Sequence, residues 1–115
     1  MSLWKALVNS LSGLQRGIRT EPALRQEMIA LGVGIPVAGL ISAEPGLLIA
    51  SLFGVLAVES LNTAVEKLCD KVNPDFDDNI GYIKDLGSLA VLAAILAASA
   101  LWLPAIWRAL AQIRL

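Results

Sequence analysis

The sequence predicts an all-α membrane protein: an N-terminal amphipathic surface helix followed by three transmembrane helices, in one domain over residues 1–115. Three observations carry this. First, 57% of the chain is hydrophobic, more than a water-soluble domain of this size could hide in its core. Second, charged residues are absent from 28–43, 45–58 and 86–107 and crowded elsewhere, which suits three spans separated by polar loops. Third, the positive charge is lopsided. Lys5, Arg16, Arg19, Arg25, Lys67, Lys71 and Lys84 fall before the first span or between the second and third, against Arg108 and Arg114 at the far end. That bias predicts a cytoplasmic N-terminus.

The surface helix covers about residues 3–19. Leu3, Trp4, Leu7, Val8, Leu11, Leu14 and Ile18 share one broad face, with Lys5, Asn9, Ser12, Arg16 and Arg19 away from its centre. Such a helix lies in the membrane interface, with its basic residues near headgroups. The chain breaks at Thr20-Glu21-Pro22, where Thr20 is expected to cap a new helix with Pro22 in its first turn. The first membrane helix runs over about 22–42, with Pro36 expected to kink it. Ala43-Glu44-Pro45-Gly46 is a tight turn.

The second membrane helix is expected over 46–72, ended by Asn73-Pro74. A solvated loop, Asp75-Phe76-Asp77-Asp78-Asn79, leads to the third, over about 82–107, with Trp102 and Trp107 suited to the outer interface. Gly46, Ala50 and Gly54 recur every fourth residue on the second helix, as do Ala90, Ala94 and Ala98 on the third. Rows of small residues let helices approach closely in lipid, and so thin a bundle is expected to associate.

The polar residues of the second helix are unusual. Glu59, Asn62, Glu66 and Asp70, in VESLNTAVEKLCD, return to nearly one helical face. At about 1.5 Å per residue, Glu59 lies some 20 Å in from the outer turn, still within a ~30 Å hydrocarbon core. A carboxylate there costs about 2.5 to 3.5 kcal/mol on lenient scales, and ionisable groups kept at such depth carry function. Glu66 lies near the cytoplasmic boundary. At that level Glu21, Arg25 and Glu27 open the first membrane helix and Lys84-Asp85 opens the third. Glu21, Glu66 and Lys84 together would suit a divalent cation and polyphosphate, because hard cations take oxygen ligands and Lys takes phosphate.

Other chemistries are excluded or unsupported. The chain has no His, which removes a histidine base or histidine-held zinc. The single Cys69 allows no intramolecular disulfide and reads as packing. No cleavable signal peptide is expected at the amphipathic N-terminus. Neither a phosphate-binding G-x-x-x-x-G-K-[ST] loop nor the protein-kinase motif set occurs. No dense basic patch points to nucleic acid.

ALRQE at 23–27, ESLNTAVEKLCD at 59–70 and KDLGSLAVL at 84–92 resemble the bacterial integral-membrane diacylglycerol kinases, whose relatives include the undecaprenol kinases. The middle motif, with Lys-Asp following fourteen residues after its Asp, is highly specific. The resemblance implies a homotrimer in the bacterial inner membrane that transfers the γ-phosphoryl of MgATP to the primary hydroxyl of diacylglycerol, giving phosphatidic acid. Undecaprenol is the alternative acceptor. By position it implies Glu59 as general base, Glu21 and Glu66 holding Mg²⁺, and Lys84 on the phosphates of ATP. Asp70 and Asp85 would border the nucleotide, and Asn62, Arg25, Gln26 and Glu27 would support the site. Two places depart from the family pattern: Ile83 stands where a small Ala is common, and NPDFDDNIGY lacks the His and Ser some members carry there. A proton-coupled transporter subunit would account for Glu59 alone, and a trimeric scaffold for the small-residue rows alone.

Overall fold

Four helices make up the computed structural model, which describes residues 2–75 and 77–113: α1 (Leu3–Thr20), α2 (Pro22–Ile41), α3 (Gly46–Val72) and α4 (Asp78–Gln112). Phe76 and Arg114 lie outside the described residues. No strand occurs among those described. The helices α2, α3 and α4, of 20, 27 and 35 residues, are each long and apolar enough to cross a membrane. Leu40, Leu47, Ile29 and Leu96 stand exposed on them, as side chains meeting acyl tails should. The apolar face of α1, with Leu3, Trp4, Leu7, Val8 and Leu11, is likewise exposed, the pattern of a helix lying on a bilayer.

Helix ends follow local chemistry more than hydropathy. The side chain of Ser2 accepts from the Lys5 amide and starts α1. Thr20 does not cap α2: its hydroxyl donates back to the Arg16 carbonyl within α1, and Glu21 takes the N-cap position without a side-chain capping bond. Pro22, lacking an amide hydrogen, needs no acceptor at that point. The helix α2 continues through Pro36. At the other boundary Asp78 and Asn79, expected in the loop, are helical, and Asp77 caps them. Asp77 Oδ1 accepts from the amides of Asn79 and Ile80, at 2.9 and 3.1 Å, and Asp78 opens α4. This cap starts α4 four residues before the expected 82, and α4 continues to Gln112, past the uncharged run. At 1.5 Å per residue, 35 residues reach about 52 Å, so both ends project beyond a ~30 Å core.

Packing follows a seven-residue period. The buried residues of α3 are Leu48, Val55, Asn62 and Cys69, and those of α2 are Leu24, Leu31 and Ala38. Side chains seven apart form a narrow seam along a helix, as in coiled coils. The helix α3 is central, packed along α4 and α2, while α1 packs on α2 alone among the described residues. A Cβ on Gly17 would meet Leu24 Cδ1 at 2.5 Å, and one on Gly34 would meet Leu52 Cδ1 at 2.6 Å, so both glycines permit close helix approach.

At the end nearest the α2–α3 turn, Ala38, Leu48 and Ala105 form a core bordered by Trp102. The indole N–H of Trp102 donates to the Leu48 carbonyl (3.2 Å) and the Ser51 hydroxyl (3.0 Å). Trp102 therefore pins α4 to α3, while Trp107 is exposed. The row Gly46, Ala50, Gly54 lies off this seam: all three residues are exposed, and a Cβ on either glycine would meet nothing within 4 Å.

Candidate active site

The α3 stripe turns the central seam polar at its charged end. Asn62 is 9% exposed and is the buried polar residue of the described chain. Its Nδ2 donates to Glu66 Oε1 at 3.1 Å, one helical turn on, while its Oδ1 is buried without a donor. Glu59, one turn back, is half-buried. Its charge interacts with Glu27 of α2 and with Glu66. On this stretch of α3 the side-chain bond is that of the Asn62 amide to Glu66.

The capped start of α4 brings Lys84 back level with the last turn of α3. There Lys84 Nζ donates to Asp70 Oδ1 at 2.7 Å. Lys67 bonds the Glu21 carboxylate at 2.8 Å, joining α3 to the head of α2. Glu66 follows Asn62 by one turn on the same helix, and its charge favours the protonated form of both Lys67 and Lys84. Glu21, Glu66 and Lys84 thus each have a separate partner: Lys67, Asn62 and Asp70. Lys67 stands directly after Glu66 and three residues before Asp70, yet its partner is Glu21 on another helix.

Arg25 ties the first membrane helix to the surface helix. Its guanidinium Nη1 donates to the carbonyls of Ile18 (3.0 Å) and Arg19 (3.2 Å), fastening the last turn of α1 to α2. Those carbonyls have no partner within the helix, so a cation there both bonds and complements the helix dipole. Gln26 and Asp85 are exposed. Between α1 and α3 opens a cleft of about 1120 Å³, with Leu14, Leu24 and Leu56 on its apolar walls and Arg16, Thr63, Glu21 and Lys67 at its polar parts.

Among the described residues no three acidic, His or Cys side chains are grouped to hold a metal by themselves. The donors present are separate carboxylates, Glu21 and Glu66. That set suits a cation completing its shell with phosphate oxygens and water, as Mg²⁺ does, better than one needing an all-protein cage.

Residues 8–106 match the family model described as prokaryotic diacylglycerol kinase. The chain belongs to this family. It is similar to the diacylglycerol kinase of Escherichia coli K12, at 35% identity over 106 residues, 90% of this chain and 87% of that protein. The Haemophilus influenzae diacylglycerol kinase is 33% identical over 96 residues, 81% of each chain. That of Pseudomonas aeruginosa is 35% identical over 96 residues, 81% of this chain and 78% of that protein. As a member of the prokaryotic diacylglycerol kinase family, the chain is a lipid kinase and a multi-pass bacterial membrane protein. The matched segment contains every candidate residue from Glu21 to Asp85.

Proposed function

We propose that this family member transfers the γ-phosphoryl group of ATP to the primary hydroxyl of diacylglycerol, leaving ADP and phosphatidic acid. The observation that carries this reading is the pair of inter-helix ion pairs, Lys67–Glu21 and Lys84–Asp70, at the charged end of the bundle. Amines and carboxylates from α2, α3 and α4 crowd the polar end of the bundle, and Glu59 stands one level deeper, half-buried. A water-borne polyphosphate would be held at the first level, and a lipid hydroxyl would reach the second without leaving the bilayer.

In the reaction, the hydroxyl oxygen forms a bond to the γ-phosphorus while the bond from that phosphorus to the bridging oxygen of ADP breaks. Glu59 takes the hydroxyl proton, which an alcohol must lose to serve as nucleophile. Lys84, released from Asp70, would neutralise charge on the transferring group. Lys67, beside Glu21 and Glu66, would do the same from the α1 side. Glu21 and Glu66 would hold Mg²⁺, which would supply positive charge to offset the negative charge building up on the transferring group. Asn62 would keep the Glu66 carboxylate oriented through its bond to Oε1.

The apolar walls of the cleft between α1 and α3 suit an acyl chain. The exposed row Gly46, Ala50, Gly54 supports close approach by further copies, and we read the assembly as a homotrimer. The charge bias supports an inner-membrane protein with its N-terminus in the cytoplasm. The names of the relatives favour diacylglycerol over undecaprenol.

The test is parallel incubation of the purified protein with γ-labelled ATP, Mg²⁺ and either diacylglycerol or undecaprenol. Label is expected in phosphatidic acid. Label entering undecaprenyl phosphate preferentially would reassign the acceptor, and label entering neither lipid would refute the phosphotransfer reading.

A further inference from the structure

We propose that Gly87 of α4 is a positioning residue for Glu66, acting through the side-chain amide of Asn62. The inference rests on the reading of Glu66 as a carboxylate of the nucleotide and metal site. It starts from an anomaly. Asn62 is buried in the α2–α3–α4 seam, its Nδ2 engaged by Glu66, yet its Oδ1 has no donor among the described residues. A buried acceptor left without a partner is costly, so something must fix the amide in that place.

Gly87 supplies the reason. A Cβ at residue 87 would stand in the space held by Asn62 Oδ1, with Asn62 Cγ only 3.1 Å away. One Cα hydrogen of Gly87 therefore faces the amide oxygen, the arrangement of a weak Cα–H···O contact. The amide cannot turn over to escape, because its oxygen would then confront the acceptor-only carboxylate of Glu66. Gly87 on one side and Glu66 on the other thus hold the amide in a single orientation.

The comparison with the other glycines is informative. At Gly13, Gly32, Gly39, Gly46, Gly54 and Gly81 a Cβ would meet nothing within 4 Å. At Gly17 and Gly34 it would meet the far end of a leucine, which can rotate aside. At Gly87 the obstacle is a polar group whose displacement breaks the bond to Glu66. Of the helical glycines, Gly87 is the one whose missing Cβ leaves the space that a buried polar group fills.

The experiment is a double-substitution cycle in the full chain, in detergent or bilayer. It is read by equilibrium binding of magnesium with a non-hydrolysable ATP analogue, and separately by steady-state kinetics. Gly87→Ala is expected to weaken analogue binding by about tenfold, the scale of losing one hydrogen bond to a charged group. Asn62→Ala should do the same. In the Asn62→Ala background the Cβ has room, and Gly87→Ala should change binding by less than about twofold, the signature of two residues acting as one unit. The KM for MgATP should rise in step while the KM for lipid stays put.

Wild-type binding by Gly87→Ala, while Asn62→Ala and Glu66→Gln both bind weakly, would overturn this inference alone. So would an equal loss from Gly87→Ala in both backgrounds. If Glu66→Gln binds the analogue like wild type, the reading of Glu66 falls and this inference with it. Should Gly87→Ala fail to fold, the double variant decides. Its recovery would support the amide as the obstacle, and its failure would place the clash elsewhere and overturn the proposal.

Discussion

Glu59→Gln should damage the enzyme and steady the fold at once. Glu59 is half-buried and on α3 lies two turns before Glu66, whose charge acts on it. Seven residues separate Glu59 from Glu66, about 10.5 Å along the axis. At an effective dielectric constant of about 20, two like charges at that distance repel by roughly 1.5 kcal/mol. Glutamine keeps the shape and hydrogen-bonding reach of the side chain and removes that repulsion. Stability should therefore rise by up to roughly 1.5 kcal/mol, the direction expected when a functional group held at a cost to the fold is neutralised. Phosphotransfer should fall by about 10²- to 10⁴-fold, the usual contribution of a general base. Unfolding in mixed micelles, run beside lipid phosphorylation on the same preparation, checks both. Activity within about tenfold of wild type would remove Glu59 as the base, and a clear loss of stability would contradict the account of crowded carboxylates.

Three further outcomes follow from single contacts. Trp102→Phe removes the indole donor to Leu48 and Ser51 and should cost about 0.5 to 1.5 kcal/mol of stability with phosphotransfer unchanged; unfolding curves and activity read the two separately. Gly17→Val places a branched side chain against Leu24, so α1 should loosen and trypsin should cut after Arg19 faster than in wild type, an effect visible by mass spectrometry. Lys67→Ala breaks an ion pair whose lysine is 66% exposed and screened by water, so the unfolding curve should barely move. The same change frees Glu21 from a competing cation and removes a positive charge from beside the transferring group, so the Mg²⁺ concentration giving half-maximal phosphotransfer should fall while maximal turnover also falls; a rise in the Mg²⁺ requirement would contradict that competition.

The fold class was legible because two strong signals agree: three charge-free runs, and an N-terminal segment whose apolar residues share one face. The bounds of α2 and α3 follow Pro22 and Asn73-Pro74, where proline chemistry leaves little choice. Other boundaries were hidden because they depend on which polar group finds which amide. Thr20 looks like a cap for α2 but bonds backward into α1. Asp77 looks like loop but accepts two amides and lengthens α4 toward α3. Hydropathy marks where a helix is greasy, not where it starts.

The seven-residue seam was missed for a related reason. In a lipid-facing helix almost every position is apolar, so the buried subset does not stand out by composition, and only Asn62 interrupts it visibly. The same holds for Trp102, whose aromatic character suited an interface but whose N–H turns inward. At the site, the stripe Glu59, Asn62, Glu66, Asp70 could be read from its spacing on one helix. The pairings Lys67–Glu21 and Lys84–Asp70 join different helices. They depend on how α2 and α4 are set against α3, which no periodicity within one helix can specify.

The most direct test of the central claim is transfer of label from γ-labelled ATP into extracted diacylglycerol by wild type and Glu59→Gln, side by side with Mg²⁺. The account predicts phosphatidic acid carrying the label with wild type and almost none with the variant. Label that stays in the aqueous phase with wild type, or passes equally well to lipid in the variant, would contradict it.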